Sequence, residues 1–180
     1  NEVCILSDDL KPCDIGQQGE IAVRGPNIML GYLHNPEVTA KTFVGDWLRT
    51  GDLGHIDEDN YVFVTGRLKE LIIKGGENIA PREIDEVLYS VPEIIEAAAF
   101  ARSCDQYGET VEAAVAVKPG SDLSEDTLIA LCEKRLGAFK TPNCIHFLPE
   151  LPKGPSGKIQ RLKLADMIQK IIGHQGNILW

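Results

Sequence analysis

"GRLKELIIKGGENIAPREIDEVL", residues 66–88, contains a change of period that decides the fold. Its first half, "LKELIIKGGENIAP", places two short apolar runs around a glycine pair and predicts a hairpin turning at Gly75–Gly76. Its second half switches to helical spacing. Pro81 suits a first helical position, and Glu83, Asp85 and Glu86 fall near the positive end of the helix dipole. Ile84, Val87, Leu88 and Val91 then share one face, and Pro92 discourages continuation.

Upstream of this switch the pattern is that of β structure. "EVCIL", "GEIAVRG" and "YVFVTG" are short apolar runs between Gly, Pro, Asp and Asn clusters. "HIDEDNYVFV" predicts a hairpin with Asp57 to Asn60 in the turn. Downstream, "EIIEAAAFA" and "TVEAAVAVK" read as strands, with Val111, Ala113, Val115 and Val117 on one face. Ser124 can cap a helix that turns Leu128, Leu131 and Cys132 inward and ends at Gly137. "CIHFL" reads as a last strand. A closing helix gathers Leu164, Ala165, Ile168, Ile171 and Ile172, and the final "GHQGNILW" carries no readable role. The expected class is α+β: a β-rich piece, then a small α+β domain, joined near "GRLK".

A chain of 180 residues suits one ordinary domain or two small ones, and 43% apolar with 25% charged residues predicts a packed core. No apolar run approaches a membrane span and no signal peptide opens the chain. The opening "NEVCILSDDL" reads as the inside of a strand-and-turn region, so the chain is expected to begin mid-protein. Its 27 acidic against 18 basic residues argue against a nucleic-acid surface. The acids sit in turns and helix starts, which predicts solvated surface. The basic cluster "KIQRLKL" reads equally as a phosphate-facing end or a solvated helix face. Cys4, Cys13, Cys104, Cys132 and Cys144 are odd in number and lack a CxxC pair, as reduced thiols of a cytosol-like compartment would. His34, His55, His146 and His174 are equally scattered, and no metal site is expected.

Three stretches carry candidate chemistry. In "LPKGPSGKIQR", residues 151–161, Lys158 ends a run too rich in Pro and Gly for a good helix or strand. A Walker loop is excluded, because Pro152 and Ile159 stand where it needs glycine and Ser or Thr. A lysine there is either an exposed loop cation or a compact charge reaching an anion. In "WLRTGDLG", residues 47–54, Gly51 and Gly54 are expected to turn the backbone sharply and present Asp52. A carboxylate accepts from two hydroxyls at once, as on a ribose, although an ordinary turn aspartate fits equally. In residues 66–84, Arg67 offers a planar fork for phosphate or ribose oxygens, and Gly75 and Gly76 let backbone approach a ligand. A solvated Arg-Lys pair and a plain glycine turn remain the alternative.

Taken together, these stretches resemble the adenylate-forming ligases: acyl-CoA synthetases, firefly-luciferase-like enzymes and peptide-synthetase adenylation domains. The resemblance runs from about residue 3 to residue 168. "GEIAVRGPNIMLGYLHNPEVTAKTF", "WLRTGDLG", "GRLKELIIKGGENIAPREIDEVL" and "PSGKIQR" each match a family motif in order and spacing. "LIIKGGENIAPREID" is similar to the coumarate-CoA-ligase-like and medium-chain acyl-CoA-synthetase-like branch.

The resemblance implies activation of a carboxylic acid with Mg-ATP, then transfer of the acyl group from its adenylate to coenzyme A or a carrier pantetheine. It implies that Asp52 holds ribose hydroxyls, that Arg67 assists at ribose or phosphate, and that Lys158 bridges acid and α-phosphate as the adenylation lysine. Lys69 matches the family's hinge. Gly75, Gly76, Glu77 and Asn78 would border the pantetheine tunnel after the small domain swings. A further lysine four residues past the hinge is replaced by Ile73; Lys74 is adjacent and takes no role from the resemblance. Residues 1–66 are expected to end a large AMP-binding domain, 67–172 to form the mobile domain and 173–180 a tail. The phosphate loop and acyl pocket would belong to an upstream part, so the fragment alone is expected to be inactive. A cytoplasmic location is expected; peroxisomal addresses occur in this branch, but "ILW" is not one. Two other readings are an adenylation domain loading a carrier protein and a separate binding or regulatory module.

Overall fold

The computed structural model describes residues 1–175, and the chain divides after Lys69 into two compact units. The first is built on an antiparallel sheet of β1 (Glu2–Leu6), β2 (Gly19–Arg24), β3 (Phe43–Val44), β4 (Trp47–Ile56) and β5 (Val62–Arg67). Strand β4 is its axis, pairing with β2 along one edge and with β3 and then β5 along the other. The turn into β5 falls where the sequence places it. Asp57 accepts from the amides of Asp59 and Tyr61, and Asn60 takes a positive φ. A short helix, α1 (Pro36–Thr42), went unpredicted, although Asn35 caps it through the Val38 amide and Pro36 opens it.

In the second unit, the 66–88 stretch folds as its periodicity predicts. β6 (Ile72–Lys74) and β7 (Glu77–Ile79) form a hairpin whose Gly75 and Gly76 both take positive φ, as a tight two-residue hairpin requires. Helix α2 (Pro81–Tyr89) follows, with Ile84, Val87 and Leu88 buried. The long strands β8 (Ile94–Cys104) and β9 (Gly108–Val117) pair antiparallel; helix α3 (Glu125–Leu136) and β10 (Ile145–Phe147) come next, β10 parallel to β9. Ser124 caps α3 and Gly137 ends it. Helix α4 (Leu164–Gln175) closes the described chain.

Period-two alternation gives this sheet two covered faces. Ala97, Ala99, Val111, Ala113 and Val115 pack with Ile84, Leu88, Leu128 and Cys132 beneath α2 and α3. Ala98, Phe100, Ala114 and Ala116 pack on the other side with Leu151, Leu164 and Ile168. The small alanines let both layers approach the sheet. Within α4, Leu164 and Ile168 are buried and Ala165 partly so, but Ile171 is 40% exposed, which corrects its expected inward placement. The side chain of Ile172, expected on the same face, lies outside the described residues. Residues 176–180 of the expected tail lie outside the described residues.

Truncating Ile84, fully buried between helix and sheet, to Ala should destabilise the second unit by about 2–5 kcal/mol in urea denaturation. Tyr89→Ala on the same helix, where the ring is 47% exposed, should stay within about 0.5 kcal/mol of wild type.

Candidate functional site

Asp52 is presented by a bulge. Between the paired positions Glu20↔Leu53 and Ala22↔Arg49, β2 has one residue, Ile21, while β4 has three, Thr50, Gly51 and Asp52. Gly51 supplies the positive φ this excursion needs. The excursion is then nailed down: buried Glu20 accepts from the Gly51 amide and from Arg49, and Thr50 Oγ1 donates to the Ile21 carbonyl while accepting from the Asp52 amide. The expected pair of sharp glycine turns is therefore half corrected. Gly54 stays extended inside the strand, and a Cβ there would meet the Phe63 carbonyl at 2.2 Å.

Asp52 lies directly across the sheet from Arg67, and Arg67 Nε reaches Asp52 Oδ1 at 3.0 Å. Side-chain exposures of 57% for Arg67 and 29% for Asp52 make this a solvated pair, contributing at most about 1 kcal/mol to stability. Both groups are thus free to exchange partners for a ligand at little cost. Arg67 and Lys69 line a cavity of about 480 Å³ with Glu20, Arg49, Thr50 and Gly51; Asp52 is outside that lining. Lys69 itself is exposed, in a 3-10 turn at Leu68–Glu70 where one unit gives way to the other.

The glycine hairpin is exposed from Gly75 to Asn78, but its root is fixed. The Gly75 amide donates to the Tyr107 carbonyl and the Ile73 amide to Glu109. Lys74 is buried; its ammonium donates to the Phe139 carbonyl at 2.8 Å and lies 5.1 Å from that ring's centroid. That cation braces the hairpin and is not available to a ligand.

Lys158 is exposed, and its ammonium is unpaired among the described residues. The loop beneath it is compact. Gly154 donates to the Lys158 carbonyl, Gly157 to Gly154 and Gln160 to Pro152, and Lys153 bridges to Ile159. Its entrance is held by Glu96, which accepts from the Leu151 amide at 2.9 Å and pairs with Lys153. Its exit is held by Arg161, whose guanidinium meets Asp85 Oδ2 at 2.6 Å, Glu70 Oε2 at 3.0 Å and the Ala99 carbonyl.

Two expectations about charge are overturned here. Asp85 is not a solvated first-turn acid, and Arg161 is neither phosphate-facing nor part of a solvated helix face. Both are inside, with side-chain exposures of 11% and 15%. Burial pushes the Asp85 carboxyl up, the Arg161 fork and the Ala99 amide pulling it back. Burial also weighs on Arg161, but its carboxylate partners more than offset this and hold it protonated. The neighbouring helix acids are paired as well, Glu83 with Lys140 and Glu86 with Arg82.

Among the described residues, no group of three His, Cys, Asp or Glu is placed to hold a metal, and no helix is long and apolar enough to cross a membrane. All five cysteines are free. Burial pushes the thiols of Cys132 and Cys144 up to about 11, so neither is a nucleophile at neutral pH.

The first unit thus carries the Asp52–Arg67 pair, and the second carries the exposed Lys158. Residues 83–158 match the family described as the AMP-binding enzyme C-terminal domain. The chain is 50% identical over 163 residues to a sulfoacetate–CoA ligase of Cupriavidus necator, covering 90% of this chain and 32% of that protein. ATP-bound MatB from Rhodopseudomonas palustris superimposes with a TM-score of 0.90 at 32% identity, over 94% of this chain and 34% of MatB. The amide bond synthetase McbA from Marinactinospora thermotolerans gives 0.87 at 37% identity, over 92% and 34%. Residues 83–158 thus match the C-terminal domain of AMP-binding enzymes, and along most of its length the chain is similar to CoA ligases of the adenylate-forming superfamily. It spans about a third of the length of the curated relatives it matches.

The Lys153 ammonium and the Leu151 amide hold the Glu96 carboxyl below the usual glutamate range. A carboxyl depressed on folding stabilises the fold above its unfolded pKa of about 4.3, and that contribution is lost as pH falls through the lower folded value. The Leu151 amide proton should accordingly titrate with a midpoint below that of an ordinary glutamate when followed by NMR. A midpoint at or above about 4.3 would break the link between Glu96 and the loop entrance.

Proposed function

We propose that this chain is the C-terminal part of an ATP-dependent carboxylic acid:CoA ligase. Residues 1–66 would end its large nucleotide-binding domain, and residues 67–172 would be its mobile small domain. One observation carries this reading. The Lys158 loop is rooted through Leu151 and Ile159 in one face of the small sheet, and the glycine hairpin through Ile72 and Ile79 in the other. A single compact unit thus offers two different chemical surfaces.

The first half-reaction joins a carboxylate oxygen of the acid to the α-phosphorus of ATP, breaking the α–β phosphoanhydride bond and releasing pyrophosphate. Negative charge builds on the phosphoryl oxygens and the incoming carboxylate is itself an anion. Lys158 answers both, as an unpaired ammonium on a braced loop. One charge-stabilising donor in a water-poor site contributes roughly 3 kcal/mol to a transition state. Asp52 accepts from the ribose hydroxyls, and Arg67 turns from Asp52 to ribose or phosphate oxygens. In the second half-reaction the thiol of coenzyme A attacks the acyl carbon, its proton goes to solvent or base, and AMP leaves. Gly75, Gly76, Glu77 and Asn78 supply a slim, side-chain-poor wall for the pantetheine arm. Rotation about Lys69 exchanges the two surfaces, since the same phosphorus wants a cation first and an open approach afterwards.

Among the described residues, no group of three His, Cys, Asp or Glu is placed to hold the Mg²⁺ that accompanies ATP. Coenzyme A is favoured over a carrier pantetheine as acceptor because a relative 50% identical over 163 residues is a CoA ligase. The five free thiols suit a cytosol-like compartment.

In the full-length protein, Lys158→Ala should slow acid-dependent pyrophosphate exchange by about 10²- to 10³-fold. Thioester formation from a supplied acyl-adenylate should change less than about threefold, a loss below 1 kcal/mol. Equal losses in the two assays would contradict a lysine that serves only the first step.

A further inference from the structure

We infer that Arg161 is a positioning residue for Lys158, a buried clamp that delivers the loop's cation to a fixed place. The inference rests on the ligase reading above and adds a residue to it. Lys158 stands three residues before Arg161, separated only by Ile159, itself packed into the core, and Gln160, bonded back to Pro152. Whatever fixes Arg161 therefore fixes the lysine's backbone.

Arg161 is fixed from three directions. Its guanidinium takes both carboxylate oxygens of Asp85 on α2, the carbonyl of Ala99 in β8 and Glu70 at the start of the second unit. Asp85 in turn accepts from the Ala99 amide at 2.7 Å, so helix, strand and loop close one ring of hydrogen bonds. The other end of the loop is held more loosely. Lys153, its partner to Glu96, is 40% exposed, against 15% for Arg161. The buried clamp is the stiffer of the two, and only a planar fork can serve two oxygens of Asp85 and a third acceptor at once.

Glu70 gives the clamp a second consequence. It is the first residue beyond Lys69, and its carboxylate is on the same guanidinium. The entry of the chain into the small unit and the root of the lysine loop are thereby locked together, so a turn of the chain at Lys69 carries the loop with it rather than leaving it behind.

The test is a kinetic cycle in the full-length protein with Arg161→Lys, which keeps a charge beside Asp85 but loses the fork, and Arg161→Met, each made with and without Lys158→Ala. Arg161→Lys should lower the rate of pyrophosphate exchange about tenfold or more, acting on kcat and leaving the KM for ATP within about threefold. Thioester formation from supplied acyl-adenylate should be spared. In the Lys158→Ala background, either Arg161 substitution should cost almost nothing further, because the group it positions is gone. An equal loss in both half-reactions, or the same fractional loss with and without Lys158, would overturn the positioning role and leave Arg161 a general stabiliser. Should Lys158→Ala itself leave exchange unchanged, the ligase reading fails first, which is a separate result. Arg161→Met unfolding would not blunt the test, since Arg161→Lys carries it alone.

Discussion

A guanidinium held inside a protein by two carboxylates is costly to desolvate and costly to disturb. Arg161, with Asp85 and Glu70, sits in that position at the centre of the small unit. Removing one partner of such a buried pair typically costs about 3–5 kcal/mol, because the other charge is left without compensation. An apolar substitute of equal volume could pack there as stably. What a hydrophobic contact would not supply is direction: the fork fixes a loop, a helix and a strand together, and the loop carries the exposed Lys158.

Around that clamp the architecture has a plain physical logic. A sheet of alternating small residues is covered on both faces, so two functional segments can be rooted in it back to back. The lysine loop and the glycine hairpin differ in the chemistry they offer: one an unpaired ammonium, the other nearly bare backbone. Lys74, the cation nearest the hairpin tip, is turned inward to the Phe139 carbonyl, so the exposed stretch Gly75–Asn78 carries no cation of its own. On the first unit, the bulge that lifts Asp52 toward Arg67 is secured by buried Glu20. In both units a buried charge holds an exposed one in place.

The elements that depend on local period were legible in the sequence. The Gly75–Gly76 hairpin, the apolar face of α2, the capped α3 and the Asp57–Asn60 turn all follow from patterns complete within a few residues. The bulge was not, because it exists only relative to β2; "WLRTGDLG" alone reads as two turns, and Ile21 must face it before the extra residues show. Asp85 and Arg161 were misread for the same reason. Each stands among other charges in a segment that looks solvated, and the partners are 76 positions apart. Charge composition cannot distinguish a buried ion from a surface one when its counter-ion is that distant. The one available signal was indirect: Asp85 falls between Ile84 and Val87 on the apolar side of a short helix. The roles proposed for Lys158, Asp52 and Arg67 rest on motif resemblance, and the geometry adds how each is held.

In the proposed clamp, the buried fork immobilises the lysine loop. Hydrogen exchange of the segment 151–163 in the full-length protein, wild type against Arg161→Lys, addresses it most directly. The amides of Gly154, Gly157 and Gln160 should exchange markedly faster in the variant while β8 and β9 keep their protection. Unchanged exchange in that segment, or loosening spread evenly through the sheet, would contradict it.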